Sequence, residues 1–592
     1  MPTVRIPLVG SFNQRGLDGN ATLTLSEDQR FLNCAFNIVQ NPVTGKSAVH
    51  VEKRPGWGTD SIPETGSAST GMIKPQVFNA AVSAFGETNS NIYVGSNSVG
   101  TITGRAMFFT ETLISSVSHV MIKSSDGTGW YYPNGAKDIT AYTCDGNNST
   151  TITDIKVSGA SSVSGLYIGQ KLSAATNIAA GSRIVSINAG AFTAVLDTAT
   201  TGGVFNDLAT TKEPVAKLLD TDFITTGSYI SAFSEMDGYL FYTTDDGNIR
   251  NSDLNSVTAY TSTSFIQPNM APDPPIGIAR QKNAIIAFGT GSKEVFYNAG
   301  NATGSPLQRS AQFFERIGGL HQRSITTLEN DIFFVSTPRY GDIGVYRIRE
   351  LASQKISTAN IDRIIGNMAT GGTIYASSFR LGGYPYASFA IILASDTSDK
   401  LLLESGDYLL LESADKMLLE GNAAQTASFV RQLVYNAQLG IWGEWDSDEA
   451  TFIDGGGAGT SNQIFATSRV TTTGKVYTIN PIAAGELFTD NGSAYTMQIR
   501  TARLDMGTSK RKFVPRIVLI CDKQAAGTAT LEASDDDYAT WRTIGTFDLT
   551  KMNPEIDRCG SYQGGRAYRI SHSYNGPFRA EALEIDYSIG TA

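Results

Sequence analysis

Residues 230–254 read ISAFSEMDGYLFYTTDDGNIRNSDL, and the way this stretch is punctuated decides the fold class. A short strand-like run ends at the turn Asp237-Gly238, the apolar run Tyr239-Leu-Phe-Tyr-Thr243 ends at Asp245-Asp246-Gly247, and an outer run closes at Ser252-Asp253-Leu254. Aromatic and β-branched runs bounded by Asp and Gly are the mark of antiparallel strands on tight turns, where Gly supplies the backbone with positive φ. Residues 276–299 repeat the arrangement with Ile276-Gly-Ile-Ala279, Ala284-Ile-Ile-Ala-Phe288 and Glu294-Val-Phe-Tyr297. Residues 323–348 do so again with Ser324-Ile-Thr326, Asp331-Ile-Phe-Phe-Val335 and Gly344-Val-Tyr-Arg-Ile348. Further candidates run over 373–393, over 429–445 and on through Gln463-Ile-Phe-Ala466 and Lys475-Val-Tyr477, and, earlier, over 77–109. Five or six imperfect units predict radial repetition, in which each four-stranded blade buries its faces against two neighbours. An irregular stack of β-meanders is the alternative. No apolar run at i, i+3, i+4, i+7 exceeds about two helical turns.

Two segments interrupt the repeat. Residues 151–200 are almost free of aromatics and rich in Ser, Ala and Thr, which marks a small inserted β-domain. Residues 399–421 carry an eight-residue period, Asp399-Lys-Leu-Leu-Leu-Glu-Ser-Gly406 and two near copies, read as short strands with Leu on both faces. Such strands need cover from both sides. Leu401, Leu403, Leu409, Leu411 and Leu418 are therefore candidates for contact between subunits, a satellite core within one chain being the other reading. From Met497 onward, alternating runs such as Arg516-Ile-Val-Leu-Ile520 and Ala582-Leu-Glu-Ile-Asp586 predict a C-terminal β-sandwich. The expected fold is thus all-β: an irregular β-propeller core with an inserted small β-domain and a C-terminal β-sandwich. The expected boundaries are an N-terminal docking segment at 1–60, a propeller platform at 61–145 and 206–490, the insert at 146–205 and the sandwich at 491–592.

Composition narrows function. The formal net charge of -10 and pI near 5.1 give no global positive field to attract nucleic acid, which argues against a sequence-reading DNA-binding protein. An acidic wall is compatible with a passage along which DNA slides, because it avoids Lys and Arg contacts to phosphate. Cys34, Cys144, Cys521 and Cys559 form no C-x-x-C pair and are expected as free thiols. The start, MPTVRIPLVG, lacks the apolar core of a secretory signal, and no stretch approaches the ~20 apolar residues of a membrane helix.

The sequence carries no G-x-S-x-G elbow, Walker loop, H-E-x-x-H or dinucleotide fingerprint, so neither catalytic residues, cofactor nor metal is expected. Gly289-Thr-Gly-Ser-Lys-Glu294 lies between two strands and reads as a hairpin turn. His50, His119, His321 and His572 stand isolated from any nucleophile or ligand partner in sequence. Ser534-Asp-Asp-Asp-Tyr-Ala-Thr-Trp541 resembles the Asp-box, S-x-D-x-G-x-T-W, of sialidase-type propellers, with Tyr538 in place of the Gly; it predicts a turn over a buried Trp541. Lys510, Arg511, Lys512 and Arg516 form the one dense basic cluster, either a solvated loop or a contact for phosphate or a partner.

In order along the chain, Ile6-Pro-Leu8, Phe31-Leu-Asn33, Lys53-Arg-Pro-Gly-Trp57, Pro275-Ile-Gly-Ile-Ala279, Lys293-Glu-Val-Phe-Tyr297, Gly318-Gly-Leu320 and Val434-Tyr-Asn436 with Trp442 and Trp445 resemble the packaged-DNA stabilisation and tail nozzle proteins of short-tailed bacteriophages. The resemblance implies a virion structural protein, made in the host cytoplasm and built into the phage tail, that forms a homohexameric ring. It implies a head-to-tail adaptor ring above, tail fibres or spikes at the side, packaged DNA passing through the lumen without sequence recognition, and the host envelope met at ejection. A glycan-binding or glycan-degrading propeller and an elongated trimeric tail fibre or adhesin are the rival expectations.

Overall fold

The computed structural model describes residues 2–9, 29–40, 47–59, 73–78, 81–88, 90–94, 97–104, 106–114, 117–133, 141–223, 229–271, 273–336, 343–366, 373–392, 430–447, 450–451, 457–458, 463–468, 476–479 and 488–590. They are built from β-strands with one short α-helix, Ala359–Gly366, and no described helix is long and apolar enough to cross a membrane. The fold is the all-β, propeller-type architecture expected.

Seven units of four antiparallel strands succeed one another among the described residues. The first is Ile73–Phe78, Ala81–Thr88, Asn91–Val94 and Asn97–Thr101; the second is Ala106–Ile114, Val117–Ser124, Gly129–Pro133 and the long strand Val204–Lys217. The third is Ser234–Met236, Tyr239–Thr243, Ile249–Ser252 and Tyr260–Ile266, the fourth Pro275–Gln281, Ala284–Gly289, Lys293–Asn298 and Leu307–Glu315. Ile325–Leu328, Asp331–Ser336, Gly344–Arg349 and Ala352–Lys355 make the fifth, and Thr373–Leu381, Tyr384–Ile392, Val430–Asn436 and Ile441–Trp445 the sixth. The seventh joins Ala450–Thr451, Gln463–Ser468 and Val476–Ile479 to Gly58–Thr59, a strand from the other end of the chain, with the short Gly457–Ala458 as a fifth strand paired to Gln463–Ser468.

From the first blade to the sixth, each interface between successive blades has its own apolar core. Phe241 and Ile249 of the third blade meet Ile285 and Phe296 of the fourth, and Phe288 of the fourth stands 5.1 Å from Phe334 of the fifth. Phe333, on the opposite face of the same strand, packs with Phe389 and Tyr435 of the sixth. A blade covered on both faces needs apolar residues at consecutive positions, which is why its second strands read Ala284-Ile-Ile-Ala-Phe288 and Asp331-Ile-Phe-Phe-Val335 without alternation. Gln463–Ser468 of the seventh blade lies beside Ile73–Phe78 of the first, so the ring closes.

The sequence reading counts five or six units, and seven are found. Residues 77–109 span two blades, the second of which waits for its outer strand until after the insert. The candidates at 373–393 and 429–445 are two halves of the sixth blade, separated by the octads. The octads, with Leu401, Leu403, Leu409, Leu411 and Leu418, lie outside the described residues.

The strands Ala141–Asn147, Thr151–Val157, Ile184–Asn188 and Thr193–Leu196 enclose a separate core of Cys144, Ile152, Leu172, Ile184 and Leu196. Val204–Lys217 serves this unit and the propeller at once, with Ala209 opposite Thr143 and Ala216 opposite Tyr131.

The C-terminal strands form a two-sheet sandwich into which the N-terminal ones are woven. One sheet runs in the order Cys34–Gln40, Ser47–Lys53, Arg579–Ile589, Lys512–Cys521, Glu555–Asp557, with Thr3–Pro7 also paired to Arg579–Ile589. In the other, Arg542–Asp548, Thr528–Ser534, Ala567–His572 and Met497–Arg500 continue through Arg30–Leu32 into the sixth blade. That last step is a parallel one, Leu32 opposite Glu444, and produces a single nine-stranded sheet spanning sandwich and propeller.

Candidate functional site at the junction of propeller and sandwich

The segment Lys53-Arg-Pro-Gly-Trp57 leaves the sandwich and leads to the outer strand of the seventh blade. Its Arg54 is fully buried, and its guanidinium is satisfied on every side. It donates to both oxygens of Asp490 at 2.9 and 2.6 Å, to the Asp446 carbonyl at 3.0 Å, to Asn33 Oδ1 at 3.0 Å and to the Pro55 carbonyl at 3.0 Å. Its plane lies 4.0 Å from the Tyr495 ring. The Trp57 amide donates to Asp490 at 3.1 Å, and Trp445 Nε1 to the Cys34 carbonyl at 2.8 Å. Asn33, in the left-handed region at φ 54°, accepts from the Asp446 amide at 2.8 Å and donates to the Thr496 carbonyl at 2.9 Å. A Cβ on Gly56 would drive into the Thr489 backbone, so only Gly fits there. Four distant stretches thus meet on one buried ion pair. Lys53 beside it is desolvated, and burial, helped by the Arg54 charge, lowers its pKa to about 8. The arrangement performs no bond chemistry. It clamps propeller and sandwich into one body.

The first strands of the blades face the centre of the ring, since Ser234–Met236 neighbours Pro275–Gln281 and Ile325–Leu328 neighbours Thr373–Leu381. Across that centre, the Arg323 guanidinium of the fifth blade lies 5.9 Å from the Phe108 ring of the second and donates to Tyr375 Oη at 2.7 Å. Lys123 adds its ammonium 5.8 Å from the same Phe108. At this level side chains of the second and fifth blades meet across the centre of the ring.

The basic cluster does not form one surface. Lys510 and Arg511 are exposed. Lys512 points inward, donating to the Thr508 carbonyl and, at 2.7 Å, to the Gly564 carbonyl. Arg516 is held by Asp586 at 2.9 Å and Glu555 at 3.2 Å, its charge matched within the sheet. The spacing carries a signal for this: Lys512 shares a strand face with buried Val514, two residues on.

The Asp-box-like segment does form its turn. Asp536 accepts from Ser534 Oγ at 2.8 Å and from the Thr540 amide at 3.0 Å, which with the Thr540 hydroxyl lowers its pKa to about 2. The expectation of a buried Trp541 is corrected, since Trp541 is half-buried under Arg569, 4.5 Å away. Tyr538, at φ 70°, is the residue turned inward, where it meets Arg500 at 4.9 Å.

Gly289-Thr-Gly-Ser-Lys-Glu294 is a hairpin turn, Phe288 pairing with Lys293 and Asp273 accepting from the Gly291 amide at 2.7 Å. All four cysteines are free thiols. His119, His321 and His572 stand apart, each with its pKa lowered by burial to about 4. Asp145, Asp154 and Asp207 gather in the insert, a grouping the sequence does not announce, but Lys156 already sits among them, 2.7 Å from Asp154 and 2.9 Å from Asp207. Among the described residues, the carboxylates whose pKa is displaced, Asp126, Asp536, Asp548 and Asp586, all move down.

Among curated proteins no match to the chain is found. Of solved structures, Raptor from Chaetomium thermophilum aligns at 10% identity and TM-score 0.31 over 72% of this chain, which spans only 28% of the Raptor chain. The phage phi92 endosialidase aligns at 9% identity and TM-score 0.27 over 85% of this chain and 77% of its own. An exo-beta-1,3-galactanase from Phanerochaete chrysosporium aligns at 10% identity and TM-score 0.21 over 93% of this chain and 95% of its own. Likenesses this distant carry no argument about activity. Residues 178–376, from within the insert through the third, fourth and fifth blades, match the family described as bacteriophage P22 Gp10, beta-propeller, a phage stabilisation family, and the match supports a phage structural protein built on a propeller.

Proposed function

We propose that the protein is a structural component of a short phage tail that assembles into a ring or nozzle, retains packaged DNA and conducts it on ejection. The observation that carries this reading is the match of residues 178–376 to the phage stabilisation family. The geometry suits a mechanical part: a buried Arg54–Asp490 clamp makes propeller and sandwich a rigid unit, and Phe108 and Arg323 meet across the centre of the propeller. DNA would therefore pass along the axis of a ring of copies, a homohexamer, and not through a single propeller. The net charge of -10 favours sliding over sticking in such a lumen. The ring would join a head-to-tail adaptor above and fibres or spikes at its side, and meet the host envelope at ejection, with exposed Lys510 and Arg511 as candidate partner contacts.

Native mass spectrometry of the full chain, followed by negative-stain class averages, tests the reading. Six-fold rings with an open centre are expected. An elongated trimer would replace the nozzle with a fibre, and a monomer that hydrolyses glycan would replace it with an enzyme.

A further inference from the structure

Three turns at one rim of the fifth and sixth blades, around Glu329, Gly383 and Gln438, border an open cleft of about 290 Å³. Part of its wall is apolar, where half-buried Pro385 and Ala437 line it; Phe333 lies beneath, fully buried. Its mouth is made of guanidinium groups. Arg347 and Arg349 share one carboxylate, Asp331, at 2.6 Å from Arg347 Nε and 3.0 Å from Arg349 Nη2, while Arg380 pairs with Glu329. Three guanidiniums against two carboxylates leave one positive charge unmatched among the residues lining the cavity. Two of the three are available to a ligand. The side chains of Arg349 and Arg380 are 62% and 52% exposed, and Arg349 binds Asp331 through Nε and Nη2, leaving its Nη1 without a hydrogen bond among the described residues. Glu329, itself 52% exposed, holds Arg380 by the kind of surface pair that a better ligand displaces readily.

The ligand class follows from these features. A volume at the lower end of small-molecule sites admits about one pyranose. An apolar wall suits the C–H face of a sugar ring, and a planar guanidinium fork suits a carboxylate. A single surplus charge matches a carboxylate at −1 better than a phosphate monoester, which carries about −1.5 to −2 at neutral pH. We propose that this cleft binds one carboxylated sugar, a hexuronate-type residue of an acidic polysaccharide. The assignment is of binding, with no bond made or broken, and it stands whether or not the chain forms a ring.

Saturation-transfer NMR and titration calorimetry on the full chain, with glucuronate, glucose and glucose 6-phosphate as probes, decide it. Glucuronate is expected to bind at millimolar concentration, with glucose and glucose 6-phosphate each weaker by about tenfold or more. Arg349→Gln and Arg380→Gln should each weaken glucuronate by about tenfold at an unchanged melting temperature, whereas Lys510→Gln leaves it as it was. The proposal is overturned by no glucuronate signal at roughly 20 mM, by equal binding of glucose, by tighter binding of the phosphate sugar, or by indifference to Arg349→Gln.

Discussion

Replacing Arg54 with Met removes the positive half of the clamp and keeps its volume approximately. Asp490, with a side chain 5% exposed, is then left as a buried carboxylate that retains the Trp57 amide at 3.1 Å and loses two charged bonds at 2.9 and 2.6 Å. The carbonyls of Asp446 and Pro55 and the Asn33 side chain lose their donor as well. Breaking a buried pair by removing one partner costs about 3–5 kcal/mol, and with both groups almost fully buried little of that is screened. For a cooperative unit of roughly 150–250 residues, at about 2–4 °C per kcal/mol, the transition involving the sandwich should fall by roughly 6–20 °C in scanning calorimetry. The double variant Arg54→Met/Asp490→Leu removes both charges and should recover most of the loss. A single variant that melts within about 2 °C of the parent, or a double variant no better than the single, would refute the view that one ion pair holds the junction.

Two further outcomes follow from buried ionisable groups. Lys512→Met leaves the Thr508 and Gly564 carbonyls without their donor and should cost about 1–3 kcal/mol in urea unfolding, whereas Lys510→Gln and Arg511→Gln should stay within about 0.5; the reverse order would show that Lys512 is not part of the core. His119, His321 and His572 titrate near 4 when folded and near 6.5 when unfolded, so the unfolded chain binds the extra protons between these values. Stability should therefore fall as pH drops from about 6.5 to 4, by up to about 1.4 kcal/mol per pH unit for each histidine. His572→Phe, which keeps the stacking on Phe578, should remove one histidine's share of that slope, and an unchanged slope between pH 7 and 5 would exclude His572 as a contributor.

Blades were legible where they are local. In residues 230–254, 276–299 and 323–348 each strand pairs with the next one in sequence, and turn residues mark every reversal. The count failed where pairing is distant. Nothing in Gly58–Thr59 announces that it completes a blade with Val476–Ile479, and nothing in Arg30–Leu32 announces a parallel partner at Ile441–Trp445. The same limit applies to the junction. Arg54, Pro55 and Gly56 stand out in the sequence, but Asp490 is one acid among 56 until folding brings it to the guanidinium. The rim cleft had a partial signal, because Arg347 and Arg349 are two apart on a strand and must share a face, while Arg380 comes from another blade.

The weaving of Thr3–Pro7 and Ser47–Lys53 into Arg579–Ile589 sets a schedule for the newborn chain. Those N-terminal strands are made first and find their partner only after roughly 530 more residues, which at about 5–20 residues per second is a wait of half a minute to nearly two minutes on the ribosome. Throughout it their edges are open to any other unpaired strand, including the same edge on a neighbouring nascent copy. The blades from Ser234 to Lys355, whose strands pair with their immediate successors, can close meanwhile. The protein should thus be most prone to aggregate in the interval when its disk is partly folded and its two ends have not yet met.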